Sequence, residues 1–188
     1  MHFSRHYDLI GKHAFLGASN YHWINYDKNK LITVYKNMLA KQRGTELHDL
    51  ASTLIKLRQK LPKSKRTLNA YVNDAIGYSM TPEQPLYYSD NCFGTADAIS
   101  FQDDLLRVHD LKTGETPANM SQLKVYAALF CLEYRYDPEK IRIELRIYQH
   151  DEVSIDIPDP KEIREIMNKI IDFDKYIEEL KMEANPYD

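Results

Sequence analysis

Residues 108 to 114 read VHDLKTG, a strand pattern that carries an acid and a base two positions apart before a turn at Thr113-Gly114. Successive side chains on a strand alternate faces, so Asp110 and Lys112 project together while Leu111 points the other way. Alone, such a pair reads as a surface ion pair. A second carboxylate, Asp97 in GTAD, falls on the neighbouring strand of the same meander, where the two acids can converge. Carboxylates aimed at one point repel, which raises the proton affinity of one of them unless a cation separates them. Oxygen ligands favour Mg2+ or Mn2+, which bind one or two carboxylates together with water and a substrate phosphate. A lysine beside such an ion can hold a phosphate oxygen as a point charge or help activate water. That set of groups suits hydrolysis of a phosphodiester.

Two further stretches supply groups to the same place. QLKVY sets Gln122 and Tyr126 four apart on one stripe of an apolar helix that follows the Asp-x-Lys strand, where they can orient a water or a phosphate. RGTELH sets His48 at the edge of an apolar helical stripe, an ordinary place for a boundary histidine that becomes a third ligand beside two carboxylates. Glu83, just before the first strand, is a further acid near the site, although an exposed strand-edge residue is the simpler reading. The cationic run RQKLPKSKR places Lys63, Lys65 and Arg66 in a turn between two helices, where they can contact phosphates. Tyr71, Tyr78, Tyr87 and Tyr88 are the tyrosines placed to stack on bases. His2, His6, His13 and His22 crowd the N-terminus at no regular metal-binding spacing.

The elements that must position these groups follow from periodicity. A helix starts near Ser19 as its cap, with Trp23 as a core anchor, and a second helix covers 28 to 41. From Gly44 the residues Leu47, Leu50, Ala51, Leu54, Leu57 and Leu61 recur at helical spacing until Pro62. Thr67 caps a helix that runs to Tyr78. Strands are expected over QPLYYSD, FGTADAISFQ and LLRVHDLKTG, then a helix over 119 to 136. Two strands, KIRIELRIYQ and VSIDIP, flank a turn at His150-Asp151-Glu152, and a last helix has Asp159 as cap and Pro160 at its first position. The order predicts an α/β or α+β fold around a mixed sheet of about five strands flanked by helices, within one domain over 1–188. Residues 1–80 form its mainly helical part and 81–188 the sheet-containing core.

The chain has 188 residues, of which 43% are hydrophobic and 28% charged, which disfavours disorder. No segment approaches the apolar length of a membrane span and the N-terminus lacks a secretion signal, so the expected compartment is the cytoplasm. The formal net charge of -3 does not by itself announce a nucleic-acid binder, yet an uneven distribution permits a basic groove on an acidic body. Cys92 and Cys131 have no partner at metal or redox spacing and are expected to be reduced and structural.

In that order, RGTELH, GTAD, HDLKTG and QLKVY resemble the RecB-type branch of the PD-(D/E)XK nucleases, which includes phage exonucleases and CRISPR-associated RecB-like nucleases. The likeness runs from about Ser19 to the end of the last strand. It implies that His48, Asp97 and Asp110 bind the metal, Mg2+ or Mn2+, with the backbone carbonyl of Leu111 as an additional ligand. It implies that Lys112 acts on the attacking water and the scissile phosphate, and that Gln122 and Tyr126 position the active site or the DNA backbone. Some relatives hold an iron-sulfur cluster on four cysteines; with only Cys92 and Cys131, none is expected here. The sequence has no Walker-type phosphate loop, so ATP is not expected as a cofactor and unwinding would need another chain.

The expected function is a metal-dependent DNA exonuclease in phage or bacterial recombination, replication or repair. A separate helicase, single-strand-binding protein or recombinase is a possible partner, and no membrane is expected. Two alternatives stay open: a catalytically inactive nuclease fold that binds DNA or serves as a scaffold, and a structure-selective endonuclease.

Overall fold

A computed structural model describes Tyr7 and residues 11 to 184; the expectations for His2 and His6 lie outside the described residues. The chain forms two compact units that meet in sequence between Arg43 and Gly44.

In the first unit the expected Ser19-capped helix is instead a 3-10 segment, Ala18–Asn25, with Gly17 at its cap and no side-chain cap bond. Asn20 inside it has non-helical dihedrals. The Trp23 indole, half-buried rather than a core anchor, donates to the Gly17 carbonyl at 3.0 Å. Asp27 then caps α1 (Lys28–Lys56), accepting the Lys30 N–H at 2.7 Å.

The two helices expected on either side of Gly44 are one, since α1 runs through that glycine without a break. It also stops five residues before the expected Leu61. Arg58 is left-handed at φ 53°, and the Arg58 and Gln59 N–H groups return to the carbonyls of Ile55 and Leu54. This is the double bond of a Schellman end, here without the glycine that would announce it. Leu57 is consequently exposed.

The second unit is α+β, with a five-stranded mixed sheet in the order β1-β2-β3-β4-β5. The strands are β1 (Thr81–Ser89), β2 (Cys92–Gln102), β3 (Leu105–Leu111), β4 (Arg142–Gln149) and β5 (Glu152–Asp156). The β3/β4 pair is parallel and the others are antiparallel. A parallel pair needs a crossover, which α3 (Ser121–Tyr134) supplies. The tight turns at Asp103-Asp104 and His150-Asp151 place both central residues at positive φ, the backbone that two-residue hairpins favour.

Helices cover both faces of this sheet. On one side, α3 and α4 (Pro160–Ala184) bury Leu123, Ala127, Ile163 and Met167 against Val108, Leu145 and Ile147. On the other, the later turns of α1 and α2 (Thr67–Gly77) bury Ala51, Leu54, Tyr71 and Val72 against Ala98, Leu111 and Tyr148. No helix among the described residues is long and apolar enough to cross a membrane.

Candidate functional site

The site forms where β2 and β3 stop pairing. Their register runs from Gln102↔Leu105 to Ala98↔His109. One step further, the Leu111 N–H donates to Asp97 Oδ2 at 2.9 Å, so the carboxylate lies between the strands as they part. The Leu111 side chain packs in the α1/α2 core while Asp110 and Lys112 share the other face, the alternation expected of a strand. Lys112 lies just past the end of β3, and its own N–H continues the ladder to the Tyr148 carbonyl at 2.9 Å. The residue is therefore held by its backbone as well as by its side chain.

Around these anchors the polar side chains form one chain of contacts. Lys112 Nζ donates to Asp110 Oδ1 at 3.1 Å and lies 3.0 Å from Oδ2. It also donates to Gln122 Oε1 at 2.8 Å, and Gln122 Nε2 donates to the Tyr126 hydroxyl at 3.0 Å. His48 Nδ1 is 3.4 Å from Asp97 Oδ2. The Asp110 side chain is 2% exposed, yet its Oδ2 accepts no hydrogen bond among the described residues. The Lys112 ammonium, 3.0 Å from that oxygen, is the charge that offsets its burial. Burial, with the Asp110 carboxylate nearby, pushes the Asp97 carboxyl up to about 6, against the Leu111 N–H and His48, which favour its charged form. Burial likewise raises the Tyr126 hydroxyl, so it stays a proton donor.

Glu83 is exposed on the edge strand β1, as expected, and it also lies beside this site. β1 begins three residues before its expected start, so Glu83 lies inside it, opposite Asp97 between the registered pairs Pro82↔Ala98 and Gln84↔Ala96. Its backbone is left-handed at φ 51°, a conformation that costs a non-glycine residue about 1–2 kcal/mol. Ligand atoms of His48, Glu83 and Asp97 all lie within 4.8 Å of one another. Together with Asp110 and the Leu111 carbonyl, these groups could hold a hard cation.

Two glycines let the neighbouring helices approach. A Cβ on Gly44 would stand 2.8 Å from Thr113 Oγ1, which forces close packing between α1 and the loop after β3, one turn before His48. A Cβ on Gly94 would stand 3.0 Å from the Tyr126 ring, so glycine there lets that tyrosine lie against β2. The loop between Lys112 and α3 is held by Gln149 at the end of β4. Its Oε1 accepts the Ala118 N–H at 3.0 Å, and its Nε2 donates to the carbonyls of Gly114 and Thr116 at 2.7 and 2.9 Å. Sequence periodicity gives no sign of this clamp, because its partners are more than thirty residues away.

The structure thus brings together His48, Asp97, Asp110, Leu111, Lys112, Gln122 and Tyr126. Lys63, Lys65 and Arg66 are apart from them on the exposed connection between α1 and α2, and none of the three makes an ion pair among the described residues. That connection is ordered from α2, where Asn73 bonds both the N–H and the carbonyl of Leu61 and Asn69 donates to the Pro62 carbonyl. Thr67, which begins α2, donates through its N–H and hydroxyl to Asp151 in the β4–β5 turn. This ties the basic connection to the end of the sheet where Lys112 lies.

Of the four tyrosines considered for stacking, Tyr71 is buried edge-on against Tyr148, and Tyr78 lies beneath the guanidinium groups of Arg107 and Arg146. Neither presents a free ring. Tyr88 packs against the α3/α4 core, whereas Tyr87 is exposed and stacked on Phe93. His109 is fully buried on the face opposite Asp110, beside the Tyr148 hydroxyl, and burial, Arg146 and Arg107 push it down to about 3. Burial pushes the Cys131 thiol up to about 11 and raises that of Cys92, so neither is an activated nucleophile.

No solved structure matches the chain. A family model described as "Protein of unknown function (DUF2800)" matches residues 83–185, a segment that contains Glu83, Asp97, Asp110, Lys112, Gln122 and Tyr126 and leaves His48 outside it. Because that segment covers more than half of the chain, the protein belongs to the DUF2800 family.

Proposed function

We propose that this protein is a divalent-metal-dependent DNA nuclease of the RecB-type PD-(D/E)XK kind, acting as an exonuclease in phage or bacterial DNA recombination, replication or repair. One observation carries the reading: Asp97 and Asp110 lie on adjacent strands with His48 against the first and Lys112 against the second. The donor set, carboxylate oxygens with one imidazole, fits Mg2+ or Mn2+. His48, Asp97, Asp110 and the Leu111 carbonyl would hold the ion, whose chemistry is to polarise the phosphoryl group and lower the pKa of a bound water.

The chain's own groups account for the rest. Lys112, fixed between Asp110 and Gln122, aims its ammonium at the non-bridging oxygens of the scissile phosphate and stabilises the charge that gathers there. Gln122 keeps that ammonium in place and in turn fixes Tyr126, whose proton is free for a phosphate oxygen. As the water oxygen bonds to phosphorus its proton passes to a phosphate oxygen, the bond to the leaving strand breaks with its electron pair on the leaving oxygen, and Lys112 keeps Asp110 in place. Lys63, Lys65 and Arg66 would take phosphates of the flanking strand.

The test is a product time course on end-labelled linear, closed circular and flapped DNA, with Mg2+ or Mn2+ and with chelator. Metal-dependent shortening of linear DNA with circles left intact is the expected result. Cut circles would indicate an endonuclease, and DNA bound but never cleaved with either metal would sink the reading.

A further inference from the structure

Along α4, Ile163, Ile166, Ile170, Phe173, Ile177 and Leu180 recur at alternating steps of three and four, the spacing of a coiled-coil seam. Ile163 is buried in the α3/α4 core, and Ile166 and Ile170 pack against it. Beyond Ile170 the seam runs on uncovered. Phe173 is 63% exposed, and Ile177, Leu180 and the flanking Tyr176 are exposed as well. Single apolar residues scattered on a surface are ordinary, whereas a seam that keeps its register over two turns has the form of a helix-pairing surface.

The two flanks of the seam restrict what can lie on it. On one, Asp174 accepts from Ser89 and Asn91, and Lys181 donates to Asn91, so the β1–β2 turn of the same chain already holds that side. The other flank carries Lys169, Tyr176 and Glu183 at steps of seven, all exposed. Neither Lys169 nor Glu183 makes an ion pair among the described residues. Parallel helices join the open flank of one to the opposite flank of the other, which here is occupied. Antiparallel helices join like flanks. With Phe173 layered on Ile177 of a second copy and Ile170 on its Leu180, Lys169 of each helix meets Glu183 of the other.

We infer that the exposed seam of α4 pairs with the same seam of a second copy, antiparallel about a two-fold axis near Tyr176, with two Lys169–Glu183 pairs setting the register. The four apolar side chains expose roughly 400 Å² per copy, taking about 200 Å² for a whole aromatic side chain. Twice that area suits a weak, reversible dimer and not an obligate one. Neither DNA nor metal enters this pairing, so it stands or falls apart from the nuclease reading.

Sedimentation equilibrium of the full chain at low salt, from micromolar to millimolar concentration, tests it. Wild type should show a reversible monomer–dimer equilibrium, and Ile177→Asp, at an exposed position, should abolish it. Lys169→Glu sets like charges opposite one another twice per dimer and should weaken association about tenfold, as should Glu183→Lys. The double variant Lys169→Glu/Glu183→Lys should recover to within about threefold of wild type. A parallel pair, in which these residues lie two heptads apart, does not give that recovery. A wild type that stays monomeric throughout, a dimer that Ile177→Asp leaves intact, or a double variant no better than the singles overturns the inference.

Discussion

Lys112 Nζ donates to Gln122 Oε1 at 2.8 Å, so the end of β3 and the first turn of α3 meet in one hydrogen bond directly over Asp110. The same ammonium pairs with both oxygens of the buried Asp110 carboxylate. Lys112→Met keeps the stem and removes the charge. Loss of a group that stabilises the transferring phosphate should lower metal-dependent cleavage by about 10²–10⁴-fold in single-turnover assays. It should also destabilise the protein by roughly 1–3 kcal/mol, because Asp110 remains buried without its cation. Gln122→Ala should lower cleavage less, since Lys112 keeps Asp110. Cleavage by Lys112→Met at the wild-type rate would remove lysine from the mechanism.

Gln149 uses both ends of its amide on the loop that connects Lys112 to α3. Gln149→Ala should release that loop while leaving the core intact. The Ala118 N–H is the direct reporter, because it donates to Gln149 Oε1. Its hydrogen exchange should accelerate about tenfold, the equivalent of one lost hydrogen bond of about 1.4 kcal/mol. Gln149→Glu should be worse than alanine, because a carboxylate would then face the carbonyls of Gly114 and Thr116. Unchanged exchange at Ala118 in both variants would show that the clamp does not order the loop.

The parts of this architecture that were legible in the sequence are those set by local chemistry. Alternation in VHDLKTG places Asp110 and Lys112 on one face, and His150-Asp151 marks the hairpin between β4 and β5. What escaped depends on partners distant in the chain or on backbone geometry without a residue signature. Gly44 reads as a helix break, but its absent side chain is needed against Thr113, sixty-nine residues on, and the helix continues through it. The apolar repeat continues to Leu61 while α1 ends at Lys56, because Arg58 takes the left-handed position where a glycine would announce the stop. Glu83 falls just outside the expected strand QPLYYSD, because Pro82 marks a break in the pattern, although proline is tolerated on an edge strand such as β1.

The basic connection should contribute to affinity and not to chemistry. Lys63, Lys65 and Arg66 are exposed and carry no ion pair of their own among the described residues, so each is available to a phosphate. Replacing all three with alanine should weaken DNA binding across sequences and flatten the slope of log K against log salt by about 2–3. Single-turnover cleavage at saturating protein should stay within about twofold of wild type. Fluorescence anisotropy over a salt series measures the slope; one that does not change would place the substrate strand elsewhere.

Asp97 sets a conflict between stability and metal binding. Its carboxyl is raised in the folded protein from 3.8 to about 6, first by burial and then by Asp110. For an acid raised in this way, the folded state holds a proton that the unfolded chain has already released between those two values. Stability is therefore lost as pH rises from about 4 to about 6, and the penalty stays constant above that range. At about 1.36 kcal/mol per unit, the full penalty is about 3 kcal/mol. Asp97→Asn keeps an oxygen for the Leu111 N–H and removes the charge, so in chelator at pH 8 it should be more stable than wild type by up to that amount. At pH 4 the two should be nearly equal. Adding Mn2+ at pH 8 should reverse the order, since wild type gains the binding energy of the ion and the variant does not. Urea denaturation at both pH values, with and without Mn2+, measures all of this. A wild type already as stable as the variant in chelator at pH 8 would mean that the acids do not repel as their placement on adjacent strands requires.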